Sequence, residues 1–240
     1  IGEFQPEAQT KGSSGLRIIA LICNNDFATC LAVSTSKIMV LMYEVFINHH
    51  SLIISNSTAR ENYKHYDFNA AFVWASFLNN LSDDEPLKLW VYSDDLDLAW
   101  ASFKSEFTLI KAAGGLVQNE GNYLFIYRNG KWDLPKGKLE PNEDIAECAV
   151  REVEEECGVD DVSIESKLLQ TYHTYSMQGE MILKETHWYL MKSTYSKDFC
   201  PQTEEGIEKV EWKGVNDIPQ LMKNSFSNIQ RVLDSAKIRG

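Results

Sequence analysis

The sequence is poor in the residues and runs that mark several classes of protein. Only five of its 240 residues are cysteine, scattered without C-x-x-C spacing (Cys23, Cys30, Cys148, Cys157 and Cys200). This pattern argues against a disulfide framework or a zinc site and predicts reduced, mostly buried thiols in a cytoplasmic protein. The longest apolar stretch, 16–41, is interrupted by Arg17, Asp26 and Lys37. It is therefore not a membrane helix, which needs roughly 18 uninterrupted apolar residues, and no membrane partner is expected.

Basic side chains are also scarce. The chain has 23 Lys and Arg against 35 Asp and Glu, for a net charge of −12, and no dense Lys/Arg run. Proteins that bind nucleic acid usually present a basic patch, so no nucleic-acid partner is expected. A small anionic substrate remains compatible with this charge, because a bound metal ion reverses the local sign of a site.

The chain divides into three predicted sections. It begins with Ile rather than Met, and Met42 or Met39 is a candidate natural start. Residues 1–41 are accordingly predicted to be a poorly ordered leader or non-native segment. Residues 42–108 are predicted to form a small α/β N-terminal domain of unknown role, either a packing or dimerisation module or a separate active site. Its patterns predict a turn at 49–51, strands at 43–47, 52–55 and 87–92, and helices over 69–81 and from a cap at Ser93 or Asp94 to Phe103.

Residues 109–240 are predicted to form an α+β domain, with strands on both sides of one central helix. Turn signals at 120–122 and 129–130 predict hairpins. The strand candidates are 114–117, 123–127, 166–175, 181–191 and 209–213, and an amphipathic helix over 226–238 closes the chain.

The central helix carries two distinct faces. Asn142 or Asp144 is expected to cap it, and Gly158 is expected to end it. One face is an apolar stripe, whereas Glu152, Glu155 and Glu156 share a second face at offsets 0, 3 and 4. These carboxylates repel one another near a helix C-terminus. A solvated acidic face and a site for a hard cation such as Mg²⁺ or Mn²⁺ both remain open on charge alone.

The spacing around this helix is more specific. Gly137, five residues, Glu143, seven residues and then Arg151-Glu152-Val153-x-Glu155-Glu156-x-Gly158-Val159 resembles the signature of the Nudix (MutT-like) hydrolase family at every specified position. A chance match of this pattern is expected in under ~1 in 10⁶ chains. The resemblance covers residues 109–240 and implies an α/β/α sandwich fold and a hydrolase.

The resemblance also implies roles for individual residues. Glu152, Glu155 and Glu156, with the carbonyl of Gly137, match the positions that hold Mg²⁺ (or Mn²⁺) in the family. Arg151 and Glu143 match the pair that braces the loop before the helix. Glu152 is the first candidate for the base that takes a proton from the attacking water, and Glu204, beside Glu205 in a distal loop, is the alternative.

Basic and aromatic residues outside the signature are candidates for substrate binding. Arg128, Lys136 and Lys138 could hold phosphates. Trp132 is interpreted as a core residue rather than a stacking platform for a base. For His173 and His187, packing is favoured over an adenine slot.

The sequence leaves several classes of substrate open. Trp132–Gly137 resembles Nudix enzymes that act on dinucleoside polyphosphates and diphosphoinositol polyphosphates, and a dinucleoside polyphosphate is the first candidate. Nucleoside triphosphates, ADP-ribose, diphosphoinositol polyphosphates and a non-catalytic ligand-sensing role are the alternatives. The expected partner is a small nucleotide-type molecule, and homodimerisation is left open.

Overall fold

The computed structural model describes residues 18–21, 29–33, 39–58, 60–81 and 85–238, with side chains from Leu41 onward. The strands in these ranges are β1 Ile18–Leu21, β2 Thr29–Val33, β3 Met39–Ile47, β4 His50–Ser55, β5 Lys64–Asp67, β6 Lys88–Tyr92, β7 Thr108–Asn119, β8 Asn122–Arg128, β9 Lys131–Asp133, β10 Lys136–Lys138, β11 Ser163–Met177, β12 Glu180–Lys192 and β13 Ile207–Gly214. The helices are α1 Trp74–Asn79, α2 Leu96–Lys104, α3 Ile145–Cys157, α4 Ile218–Met222 and α5 Ser227–Ser235.

The strands join in one mixed sheet whose main path is β13-β8-β7-β12-β11-β3-β4-β6-β5. The sheet connects the two predicted domains, because β3 pairs in parallel with β11 and places Val45 opposite Tyr172. The division into separate domains stays a prediction. Of the section predicted to be poorly ordered, the described residues lie in β1, β2 and the start of β3, and the rest lie outside the described residues.

The section before β7 packs its two helices on one face of the sheet. Alternate residues of the strands point to this face, so Val45, Leu52 and Leu89 are fully buried against α1 and α2. Tyr43 stacks on Trp100 of α2, with ring centroids 4.1 Å apart. The aromatic residues of this section therefore form a core on this face of the sheet, to which Tyr172 of β11 and Leu183 of β12 also contribute.

The later section has helices on both faces. Helix α3 packs with Tyr189 and Met191 of β12, whereas the neighbouring residue, Trp188, points to the other face and packs with α4 and α5. This arrangement of a mixed sheet between helices confirms the predicted α+β class. No helix among the described residues is long and apolar enough to cross a membrane.

Several predicted local features differ in the structure. Helix α1 is limited to Trp74–Asn79, and the cap of α2 is Asp95, whose side chain accepts the N–H of Leu98 at 2.9 Å, rather than Ser93 or Asp94. The turn after β3 lies at Asn48–His49, where Asn48 has φ 51°. Edge strand β5 and short strand β10 were not expected, because their pairing comes from β6 and β7 rather than from their own sequence.

Candidate active site

Helix α3 is defined by its local sequence at both ends. The carboxylate of Asp144 accepts the N–H of Ala146 at 2.7 Å, so Asp144 rather than Asn142 is the cap. Gly158 ends the helix with φ 69°, a left-handed conformation that favours glycine. Because both ends of the helix are defined, the carboxylates that face the strands are defined as well.

Glu156 is fully buried at the C-terminal end of this helix. Its carboxylate accepts the backbone N–H of Lys136 at 2.8 Å and lies 3.4 Å from Arg128. Burial raises the pKa of Glu156 to about 7, although the positive charges of Lys136 and Arg128 oppose that shift. The carboxylate is thus held by a main-chain donor from β10.

Glu152 lies one helical turn earlier, directly against the main chain of Gly137. A Cβ atom placed on Gly137 would lie 1.8 Å from a carboxylate oxygen of Glu152, so glycine is required as long as the Glu152 side chain keeps this position. Burial raises the pKa of Glu152 even though Arg151 contacts it at 2.8 Å. The signature glycine and the signature glutamate therefore lie side by side in the structure.

Arg151 braces the loop that precedes the helix. Its guanidinium donates to both carboxylate oxygens of Glu143, at 2.6 and 2.9 Å, and to the carbonyl of Lys138 at 3.2 Å. Hydrogen bonds from Arg151 lower the pKa of Glu143 to about 2. The same guanidinium lies 3.0 Å from Glu155, whose side chain is half exposed. These contacts indicate that Arg151 positions the loop before the helix.

A distal loop carries the alternative base to the same end of α3. Cys200 and Gln202 donate their N–H groups to the carbonyls of Cys157 and Glu156, each at 3.2 Å. The short 3-10 turn at Thr203–Glu205 follows, with both glutamates exposed. The charge of Glu205 contributes to the raised pKa of Glu152 and Glu156. Glu204 therefore lies on a loop tied to the end of α3.

The donor set fits a divalent metal ion. Two buried carboxylates with raised pKa values lie beside a main chain that only glycine can bring so close, and carboxylate and carbonyl oxygens are the ligands that Mg²⁺ and Mn²⁺ prefer. Within the described ranges, no three Asp, Glu, His or Cys side chains converge as a metal-binding group. The guanidinium of Arg151 instead contacts both Glu152 and Glu155.

The three predicted phosphate-binding residues lie in different surroundings. Arg128 is partly exposed and contacts Asp133 at 3.2 Å as well as Glu156. Lys136 is buried, with its ammonium group 2.5 Å from Asp133. Lys138 is exposed. Trp132 is only partly buried at the edge of the core around α5.

Two further residues of the site were missed from the sequence. Asp133 is buried, and although burial opposes ionisation, the charges of Lys136 and Arg128 hold its pKa below the usual value. Burial lowers the pKa of Lys184 to about 8, and the charges of Lys136 and Arg128 lower it further. Asp133 stands in the stretch 132–137 that carries a family resemblance, but Lys184 gave no signal beyond its place in a strand.

Comparison with known proteins identifies the family. A model described as the NUDIX domain matches residues 108–233, just over half of the chain. The chain belongs to the Nudix family. The expected family membership is thereby confirmed, and the match begins at the first residue of β7, so it leaves the section before that strand unassigned.

Individual relatives of this Nudix chain are distant. The m7GpppN-mRNA hydrolase dcap-2 of Caenorhabditis elegans is 31% identical over 136 residues, which are 53% of this chain and 16% of that protein. The uncharacterised Nudix hydrolase YvcI of Bacillus subtilis is 30% identical over 109 residues, 44% of this chain and 66% of that protein. The chain spans less than a fifth of the length of the decapping relatives that it matches.

Solved structures are also similar to about half of the chain. A crystal structure of an Ap4A hydrolase from C. elegans has 20% sequence identity and a TM-score of 0.42, and the alignment covers 53% of this chain and 95% of that one. A MutT Nudix hydrolase from Burkholderia pseudomallei has 24% identity and a TM-score of 0.43, over 53% of this chain and 98% of that one.

Proposed function

We propose that this Nudix chain is a Mg²⁺-dependent hydrolase of a diphosphate linkage in a nucleoside-diphosphate-type substrate. The observation that carries the proposal is the contact between Gly137 and Glu152, with Glu156 held one helical turn further along by the N–H of Lys136. Burial of acidic groups costs free energy unless a charged partner compensates it. A bound cation is the partner that suits these oxygen donors.

The residues of the candidate active site have separate roles. Glu152, Glu155 and Glu156, with the carbonyl of Gly137, would hold the ion, which when bound neutralises phosphate oxygens and lowers the pKa of a bound water. Glu152, or Glu204 from the distal loop, takes the proton from the attacking water. Arg151 keeps the 136–143 loop in place, and Arg128 presents a positive charge beside Glu156.

A dinucleoside polyphosphate is the first candidate substrate. The support is the resemblance of Trp132–Gly137 and a cavity of about 740 Å³ that reaches Arg128 and Lys136, a volume in the range of small-molecule sites. Nucleoside triphosphates, ADP-ribose and diphosphoinositol polyphosphates are the further candidates.

Capped RNA is a second candidate substrate, which the names of the relatives suggest and the sequence alone does not. Several matched proteins are named as m7GpppN-mRNA hydrolases or decapping enzymes. The net charge of −12 favours a small molecule over a long nucleic acid. A cap dinucleotide and a capped RNA therefore belong in the same assay.

The test is hydrolysis of a substrate panel with Mg²⁺ and with EDTA. The panel comprises diadenosine polyphosphates, canonical and oxidised nucleoside triphosphates, ADP-ribose, a diphosphoinositol phosphate, a cap dinucleotide and a short capped RNA. EDTA-sensitive cleavage of one class is expected and names the substrate. Absence of turnover across the whole panel would contradict the proposal and favour a ligand-sensing domain.

A further inference from the structure

A large cavity lies between the N-terminal section of the chain and the Nudix domain. It opens beside Arg128 and Lys136 of the candidate active site and extends beneath helix α5 to strand β6. An ion pair between Arg231 of α5 and Glu44 of β3, 2.7 Å apart, joins the two walls. The cavity therefore combines residues of the family domain with residues that precede it.

One row of residues in register across the sheet runs along this cavity. Lys184 of β12 is paired with His173 of β11, His173 with Phe46 of β3, Phe46 with Ser51 of β4, and Ser51 with Lys88 of β6. All five line the cavity. Neighbouring strands are about 4.8 Å apart, so the row extends about 19 Å across the sheet. Three of its five members come from the section before the Nudix domain.

The end of the row nearest the active site is positively charged. Arg128, Lys136 and Lys184 all line the cavity. Burial lowers the pKa of Lys184 to about 8, and the positive charges of Lys136 and Arg128 lower it further, although the negative charges of Asp133 and Glu156 oppose that shift. Arg128 and Lys136 both contact Asp133. Lys184 has no ion-pair partner in the part of the chain that the structure describes. An anionic group is the ligand that such a position suits.

The middle of the row is aromatic. Phe46 is partly exposed, and its ring contacts no other aromatic ring among the described residues. Tyr43, three residues earlier, points to the opposite face and stacks on Trp100. Partly exposed Phe226 lines the same cavity from the start of α5. A flat ring of a ligand could therefore contact Phe46 without displacing a side-chain ring partner.

We propose that this cavity binds the nucleoside end of the substrate, with its phosphate beside Lys184 and its base against Phe46. The N-terminal section then contributes to substrate selection, a role that the Nudix domain match does not assign. This inference rests on the proposed function for the identity of the ligand as a nucleotide. It does not require that the bound nucleotide be hydrolysed.

The test is equilibrium binding of AMP and of ribose 5-phosphate to the full chain in EDTA, measured by calorimetry. Stacking on an aromatic side chain favours binding of a base, so Phe46→Leu is expected to weaken AMP binding about ten-fold and to change ribose 5-phosphate binding little. Phe46→Tyr keeps a ring and is expected to retain AMP affinity. Lys184→Met is expected to weaken the binding of both AMP and ribose 5-phosphate.

Matched controls come from the same chain. Phe107 is partly buried and lies outside the cavity, and Lys192 is exposed at the far end of β12. Phe107→Leu and Lys192→Met are expected to bind AMP as the wild type does, and thermal unfolding checks that each variant folds. Failure of the wild type to bind AMP, or equal binding by Phe46→Leu and Phe107→Leu, would overturn the inference. AMP binding without turnover on the substrate panel would contradict the proposed hydrolase and leave this inference standing.

Discussion

Glu156 is a carboxylate in a fully buried position, and its pKa of about 7 reflects that burial. Partial compensation comes from the N–H of Lys136 and from Arg128. A leucine or methionine of similar size would pack in a buried position without the cost of desolvating a charge. An ionisable group at this buried position therefore indicates a functional role.

Glu156→Gln is expected to lower metal-dependent turnover by at least about 10- to 100-fold, the loss typical when partners of metal ligands are changed. The fold is expected to persist, because the amide oxygen can still accept the N–H of Lys136. Turnover with Mg²⁺ and the free energy of unfolding are measured together. Glu147→Gln, at an exposed position of the same helix, is the control. Unchanged turnover in Glu156→Gln would refute the assignment of this face.

Gly137→Ala is expected to destabilise the protein by about 1–3 kcal/mol, the usual cost of overpacking. The added Cβ would lie 1.8 Å from the Glu152 carboxylate. Urea denaturation of Gly137→Ala, Glu152→Ala and the double variant measures this directly, since removal of the Glu152 carboxylate relieves the clash. Gly214→Ala, where the nearest atom is 3.4 Å away, is the control. Strict additivity of the two changes would mean that the contact does not exist.

Among the elements, the segment between β10 and helix α3 is held to the helix by the side chain of Arg151. Arg151 reaches Glu143 at one end of the loop and the carbonyl of Lys138 at the other. Glu143 also accepts the N–H of Glu140 at 3.0 Å, which closes the turn. The brace therefore depends on the ionised state of one carboxylate.

The contribution of Glu143 is expected to depend on pH. Its folded-state pKa is lowered from 4.5 to about 2, so the stabilisation is fully present above pH 4.5 and is lost as the pH falls towards 2. Glu143→Gln is expected to cost on the order of 1 kcal/mol at pH 7, because the pair is partly exposed. The difference in unfolding free energy from wild type should shrink between pH 4.5 and 2. A difference that is constant with pH would contradict the brace.

At the scale of the whole molecule, the sheet has no boundary between the N-terminal section and the Nudix domain. Strand β11 pairs with β12 on one side and with β3 on the other. Tyr172 and Leu183 of the family domain are buried in the same core as Trp100 and Phe103 of α2. Removal of the N-terminal section would uncover both a strand edge and an apolar face.

A chain limited to residues 108–240 is expected to aggregate, or to unfold at a lower temperature than a chain of residues 39–240. Light scattering and thermal unfolding of the two chains test this. A monomeric 108–240 chain with unchanged stability and unchanged AMP affinity would show that the N-terminal section is an independent module.

The local features of the active site could be read from the sequence. The cap at Asp144, the end at Gly158 and the common face of Glu152 and Glu156 depend on residues within one or two helical turns of each other. The contact of Gly137 with Glu152 followed from the family spacing. Helix α1 was predicted too long, because the apolar periodicity of 69–81 continues past the residues that tertiary contacts keep helical.

The pairings between residues far apart in the chain depend on the tertiary structure. Alternation predicts that β3 and β11 are strands, but it does not predict that Phe46 lies beside His173, since register depends on packing of the whole sheet. The same holds for Lys184, which joins Arg128 and Lys136 only after β12 is in place. The helix that carries the three glutamates and the family membership follow from the sequence alone, because both depend on short-range spacing. The cavity shared by the two sections exists only because distant strands pair.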